Sequence, residues 1–201
     1  MRGCLIKTHA LPSVLPVDYV IRPICVDDAD REREFICGLS AASRYHRLMC
    51  AVREPSEAFV DQMVHVDHHH AMAYVAVVGD GHAQRIIGVA RYAAASGSSG
   101  SEFAVAVADQ WQSRGVGTAI SRRLLDHARE QGIHYLDARI LATNSRMLGL
   151  ARWLGFITVT NPDEFSIVDA RLDLSTNQGA ECKSRSIPTT TSTATSPRRL
   201  Q

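Results

Sequence analysis

Seven consecutive residues, Gln112-Ser113-Arg114-Gly115-Val116-Gly117-Thr118, combine two glycines, one guanidinium and three neutral hydrogen-bonding side chains where two periodicities meet. Upstream, FAVAVAD alternates like a strand; downstream, AISRRLLDHAREQG recurs like a helix. The first N–H groups of a helix have no partner within the helix, and the aligned peptide dipoles place partial positive charge there. Such a terminus favours an anion, phosphate above all. Gly115 and Gly117 carry no Cβ, so a ligand can approach the main chain closely. Gln112, Ser113 and Thr118 offer neutral hydrogen bonds and Arg114 a charge-assisted one. The stretch therefore reads as a cradle for phosphate or pyrophosphate on the amides of residues 112–118. A Rossmann fingerprint requires a third glycine where Ile120 stands, and a Walker loop requires Gly-Lys-Ser/Thr, which is absent. A tight strand–helix turn using glycine for geometry alone satisfies the same letters.

The strand before the cradle is asymmetric. Phe103, Val105 and Val107 share one face; Glu102, Ala104, Ala106 and Ala108 share the other. A face of alanines leaves space, and Glu102 borders it. Elsewhere, His65, Asp67, His68, His69 and His70 offer zinc donors. They lie between a helix and a strand with no matching distant ligands, so we read a solvated loop or the border of a substrate entrance, with no metal expected. Arg44, Tyr45 and Arg47 either dock the first helices or line an acceptor site. Trp111 and Trp153 read as packing residues, and Arg122 and Asp126 as a surface ion pair on the long helix.

The elements that must position these residues alternate along the chain. YVIRPIC reads as a strand, and DDADREREFICGLS and SRYHRLMC as short helices. SEAFVDQMVHV reads as a helix capped by Ser56, with Glu57 in its first turn. AMAYVAVVGDGHAQRIIGVARYA is two strands around an Asp-Gly turn, and ASGSSGS is a flexible connection. After the glycine turn and its helix come the strand IHYLDARIL, a helix NSRMLGLARWLG with Gly155 at its left-handed end, and two strands, FITVTN and FSIVDARLDL. This order predicts a single central sheet with helices on its faces.

Bulk composition narrows the class. The chain has 201 residues, 45% apolar and 21% charged, with a formal charge of +1, which suits one globular domain and does not point to nucleic acid. No apolar run approaches the ~18 residues of a membrane span. Five cysteines without a CxxC spacing argue against a disulfide framework or zinc finger and fit a reducing cytoplasm. We expect a leader at 1–18, a folded domain at 19–174 and a disordered Ser/Thr-rich tail at 175–201.

The Gln-x-x-Gly-x-Gly spacing at a strand–helix junction resembles the coenzyme-A-binding motif of the GNAT N-acetyltransferases. Asn144 opening a helix that ends in Gly155-Phe156 is similar to that family's second motif. IRPICVDDAD and GLSAASRYHR further resemble the opening of Pat-type bacterial protein lysine acetyltransferases. The resemblance implies the GNAT (acyl-CoA N-acyltransferase) fold, α/β (α+β), with one mixed, mostly antiparallel sheet flanked by about four helices. It implies acetyl-CoA as co-substrate, its pyrophosphate on residues 112–118 and its pantetheine along Val105, Ala106 and Val107, with Asn144 in contact. It implies Glu102 as general base for an acceptor amine, which must lose a proton from a pKa near ~10.4 before attack, and an N–H near Val105 polarising the thioester. None of the cysteines lies in either motif, so direct transfer is expected. The family's leaving-group tyrosine aligns with Ala151. The expected activity is acetylation of a protein lysine by a monomer or homodimer in the cytoplasm. The alternatives are a small amine as acceptor, or a non-catalytic acetyl-CoA sensor.

Overall fold

The computed structural model describes residues 18–51, 53–94 and 100–175. The expected leader, the ASGSSGS connection and the tail lie outside the described residues, apart from their inner ends. The chain runs β1 (Val20–Pro23), α1 (Ala29–Gly38), α2 (Ala41–Leu48), α3 (Glu57–Val64), β2 (Ala71–Val78), β3 (Arg85–Ala94), β4 (Ser101–Val107), α4 (Val116–Glu130), β5 (Tyr135–Leu141), α5 (Ser145–Leu154), β6 (Ile157–Thr160) and β7 (Ile167–Asp173). The strands form one sheet in the order β1-β2-β3-β4-β5-β7-β6. Every neighbouring pair is antiparallel except β4 and β5. Among the described residues there are five α-helices, the short SRYHRLMC helix standing by itself as α2.

Local chemistry sets the element ends. Ser40, Ser56 and Asn144 cap α2, α3 and α5 by accepting the N–H of Ser43, Phe59 and Met147, each such cap worth about 1 kcal/mol. Gly155 closes α5 at φ 98°, the left-handed position for which glycine is suited. The β2–β3 hairpin turns through Gly79 at φ 84° and Gly81 at φ 54°. A Cβ on Gly79 would lie 2.7 Å from the Ala83 carbonyl oxygen.

β2 is apolar along its length because both of its faces are covered. On one face, Val75, Val77 and Val89 pack against Phe35, Ile36 and Leu39 of the α1 region. On the other, Tyr74, Tyr92 and Phe103 pack against Ile120 and Leu124 of α4. Ile120 and Leu124 are fully buried, and burying each contributes about 1.5–3 kcal/mol.

The opening R-P-I strand has a structural role. Arg22 makes a two-pronged ion pair with Asp28, at 2.6 and 2.7 Å, and Arg22 also donates to Gln84 on the hairpin. Asp28 is fully buried and also accepts the Cys25 N–H. Burial pushes its carboxyl up, but the bonds from Arg22 and Cys25 outweigh this and hold it well below the usual carboxylate range.

Candidate active site

β4 and β5 pair in parallel only at Ser101–Leu136 and Glu102–Asp137. Beyond that point they diverge, opening a cleft of about 1210 Å³ lined by β4, the glycine turn, the start of α5 and the α2–α3 side. Ala108 N–H donates to the Ile87 oxygen on β3. Main-chain groups of an antiparallel strand alternate sides at every residue. The N–H and C=O groups of Val105 and Val107 therefore point away from β3, into the opening. β4 is paired with β3 without a register shift, so the alternation read from sequence holds. Ala106 joins the α1-side core, while Phe103, Val105 and Val107 join the α4 side.

At the wide end of the cleft, α4 begins at Val116, after Ser113 at φ 59° and Gly115 at φ 84°. The first bond of the α4 ladder runs from Ala119 N–H to the Gly115 oxygen. The amides of Val116, Gly117 and Thr118 thus stand outside that ladder, as a helix terminus requires. Ser113, Gly115, Gly117, Thr118 and Asn144 line the cleft. The two glycines have different reasons. A Cβ on Gly115 would meet nothing within 4 Å, so its φ is what calls for glycine; a Cβ on Gly117 would sit 3.3 Å from Val107 and 3.5 Å from Leu150. Gly117 lets α4, β4 and α5 converge.

Two cradle side chains, Gln112 and Arg114, are used differently from the reading of the sequence. Gln112 spends its amide on the protein: Nε2 donates to Ser43 and to the Val107 oxygen, and Oε1 accepts from Arg146. Arg114 lies over the Trp111 ring, 5.6 Å from its centroid. Val116 is buried, so it offers only its main chain. Asp109 ties the turn to α2, accepting from Ser40 N–H, Ser40 Oγ and Ser43 Oγ. Burial raises its carboxyl, and these bonds more than reverse that, leaving it below the ordinary range. The serines of the GLSAAS segment therefore dock on the cradle, a partnership across 69 residues that no local pattern encodes.

At the narrow end, Glu102 is exposed on β4 beside Ala93 of β3 and Asp137 of β5. Arg47 of α2 and Arg91 of β3 line the cleft with it. Behind them, Glu32 of α1 is buried at 4% exposure. Burial pushes the Glu32 carboxyl up, opposed by the charges of Arg91 and Arg47. The sequence singled out Glu102 and Arg47 but not Glu32 or Arg91, nor the grouping of the four, since they stand on four separate elements. Met147 and Leu150 face the cleft from α5, whereas Ala151 is sealed in the core.

Other expectations resolve into packing. Asp67 organises its loop by accepting the N–H of His69, His70 and Ala71. The imidazoles disperse, His68 to Met72 Sδ and His69 to Gln131, and no metal-binding group occurs among the described residues. Arg44 bonds the Cys37 and Arg53 oxygens, docking the first helices. Arg122 stacks on Trp153, 4.4 Å from the ring centroid, and Asp126 pairs with Arg129 instead. No helix among the described residues is long and apolar enough to cross a membrane.

A strand pair that splays beside a glycine-started helix is the architecture of an acyl-CoA N-acyltransferase. Residues 19–157 match the Acetyltransferase (GNAT) domain family. The chain is 37% identical over 155 residues to Acetyltransferase PA5475 of Pseudomonas aeruginosa, covering 77% of this chain and 83% of that one. It is 26% identical over 157 residues to Acetyltransferase Pat of Mycolicibacterium smegmatis, covering 78% of this chain but only 46% of that one. The crystal structure of the GNAT domain of S. lividans PAT superposes with a TM-score of 0.69 at 28% identity, over 76% of this chain and 89% of the other. This chain belongs to the GNAT acetyltransferase family and is an N-acetyltransferase. GNAT domains use acetyl-CoA.

Proposed function

We propose that the protein moves acetyl from acetyl-CoA directly to a primary amine, with a protein lysine as acceptor. One observation carries this reading: a single cleft has Glu102 at its narrow end and the free helix amides at its wide end. The amides of residues 116–118, with Ser113 and Thr118 beside them, suit a pyrophosphate. The outward N–H groups of Val105 and Val107 and the Val105 C=O suit the amides of a pantetheine arm, which would extend β4 as a strand does. Ala106 keeps that side of β4 narrow, and the Asn144 side chain borders the same path.

Acetyl-CoA, when bound, supplies an activated acyl carbon as a thioester. Glu102 takes the proton of the incoming ammonium, directly or through a water. The Val105 N–H donates to the acyl oxygen as negative charge gathers there. α5 presents Asn144, Ser145, Arg146, Met147 and Leu150 to the cleft, with no tyrosine or carboxylic acid among them. A thiol ionises near pKa ~8.5, which makes the thiolate a tolerable leaving group. The Pat-type resemblance of the opening segments favours a lysine acceptor over a small amine, and a carboxylate at Glu102 favours an enzyme over a sensor. Acetyl-CoA turnover measured against protein lysines and small amines in parallel tests the reading. Tight coenzyme binding without transfer to any amine would remove it.

A further inference from the structure

The acceptor end of the cleft holds more cationic hydrogen-bonding capacity than the protein uses. Arg47 lines the cleft, half-buried, with no hydrogen bond among the described residues. Its charge is felt through space by Glu32, Glu102 and Arg91. Arg91 spends its two terminal nitrogens on the sulfur and carbonyl oxygen of Met63, while its Nε is buried with no partner among the described residues. Neither arginine makes a hydrogen-bonded pair with a carboxylate.

A guanidinium carries five donors in a fixed fork. Leaving such donors unpaired in a half-buried site is costly. Structural arginines relieve this with carboxylates, as Arg22 does with Asp28. Behind the pair, Glu32 is buried with Oε2 itself unpaired among the described residues, and burial pushes its carboxyl up against the charges of Arg91 and Arg47. Arg47, Arg91 and Glu102 line the same cleft, and neither guanidinium is hydrogen-bonded to a carboxylate among the described residues.

We propose that Arg47, backed by Arg91, binds a carboxylate carried by the acceptor close to its reactive amine. This rests on the reading of Glu102 as the end of the cleft where the amine reacts. The acceptor is then a lysine beside an acidic residue, or a small amine that bears its own carboxylate. The shared chemistry is one molecule presenting a cationic amine to Glu102 and an anion to Arg47. The coenzyme's phosphates are the other anions available, but their cradle lies at the opposite, wide end of the cleft.

The experiment uses the full chain and two matched pairs of acceptors at saturating acetyl-CoA. One pair is a capped Ala-Ala-Lys-Ala-Ala peptide and its version with Glu beside the lysine; the other is lysinamide and free lysine. The expected result is a kcat/KM about tenfold higher for the carboxylate-bearing member of one pair, the order expected of one charge-assisted hydrogen bond. Which pair shows it identifies the source. Arg47→Gln is expected to abolish the preference, read as the ratio of kcat/KM between the two members of a pair, and Arg47→Lys to restore it partly. Preference absent in the wild type overturns this inference alone and leaves the amine reading intact. Transfer to no member of either pair overturns both. Arg47→Gln slowing both members equally, or weakening acetyl-CoA binding by calorimetry, also overturns the inference. If Arg47→Gln does not fold, a reduced preference in Arg47→Lys decides for it and an unchanged preference against it.

Discussion

Ser40 and Asp109 are joined by two hydrogen bonds, from the serine's N–H at 2.9 Å and from its hydroxyl at 2.8 Å. Ser40 also caps α2. One serine thus starts a helix and fastens it to the loop that leads into the glycine turn, so the α2 side and the α4 side of the cleft share an anchor. Asp109→Ala removes three bonds to α2. We expect about 1–3 kcal/mol less stability and a rise in KM for acetyl-CoA, read by thermal melts and steady-state kinetics. A variant with normal stability and kinetics would show that α2 is held by other means.

Glu102→Gln is nearly isosteric and cannot accept the ammonium proton. A general base contributes about 10²–10⁴-fold, so kcat is expected to fall by that order while acetyl-CoA affinity stays put. Calorimetry and single-turnover assays separate the two. Turnover within threefold of wild type would take Glu102 out of the chemistry.

Gly115 and Gly117 should respond differently to a side chain. Gly115→Ala places a Cβ in open space but at φ 84°, a conformation costing about 1–2 kcal/mol for other residues. A bulky residue there would stand in front of the free amides, so Gly115→Val is expected to weaken acetyl-CoA binding at least tenfold. Gly117→Val instead collides with Val107 and Leu150, and its first loss is expected in melting temperature. Undiminished coenzyme binding by Gly115→Val would dismantle the cradle.

Acid should strip a definable part of the stability. The Asp28 carboxyl is held below its unfolded value, near ~3.9, by Arg22 and Cys25 against the cost of burial. A depressed folded pKa contributes stability fully above the unfolded pKa and loses it as pH falls through the folded one. Asp28→Ala leaves Arg22 without its buried partner and is expected to cost about 3–5 kcal/mol at neutral pH. The gap between wild type and variant should narrow below about pH 4 in denaturant titrations. A constant gap across that range would show that the ionised carboxylate is not the source.

Much of the architecture could be read from the letters, because the elements that matter carry their own periodicity. The alternation of FAVAVAD gave both faces of β4, and the glycines after it located the start of α4. Ser56, Asn144 and Gly155 announced their helix ends through local hydrogen bonds or backbone conformation. What escaped is what depends on distance across the fold. Nothing near Gln112 reveals that its amide braces Ser43, Val107 and Arg146. Nothing near Gly117 reveals Leu150. Arg122 and Asp126 have helical spacing for a pair, yet a tryptophan on α5 takes the arginine. The group around Arg47 is drawn from α1, α2, β3 and β4, and only tertiary packing brings it together.

The two-residue stitch between β4 and β5 has a mechanical meaning. It divides the sheet into two leaves, β1 to β4 and β5 to β7, and puts the thinnest part of their seam where the coenzyme would lie. A molecule slipping into that gap, bonding the exposed edge of β4 and abutting α5, would act as the missing rung of a ladder. Loading with substrate would then stiffen the whole protein, and discharge of product would let the leaves breathe again.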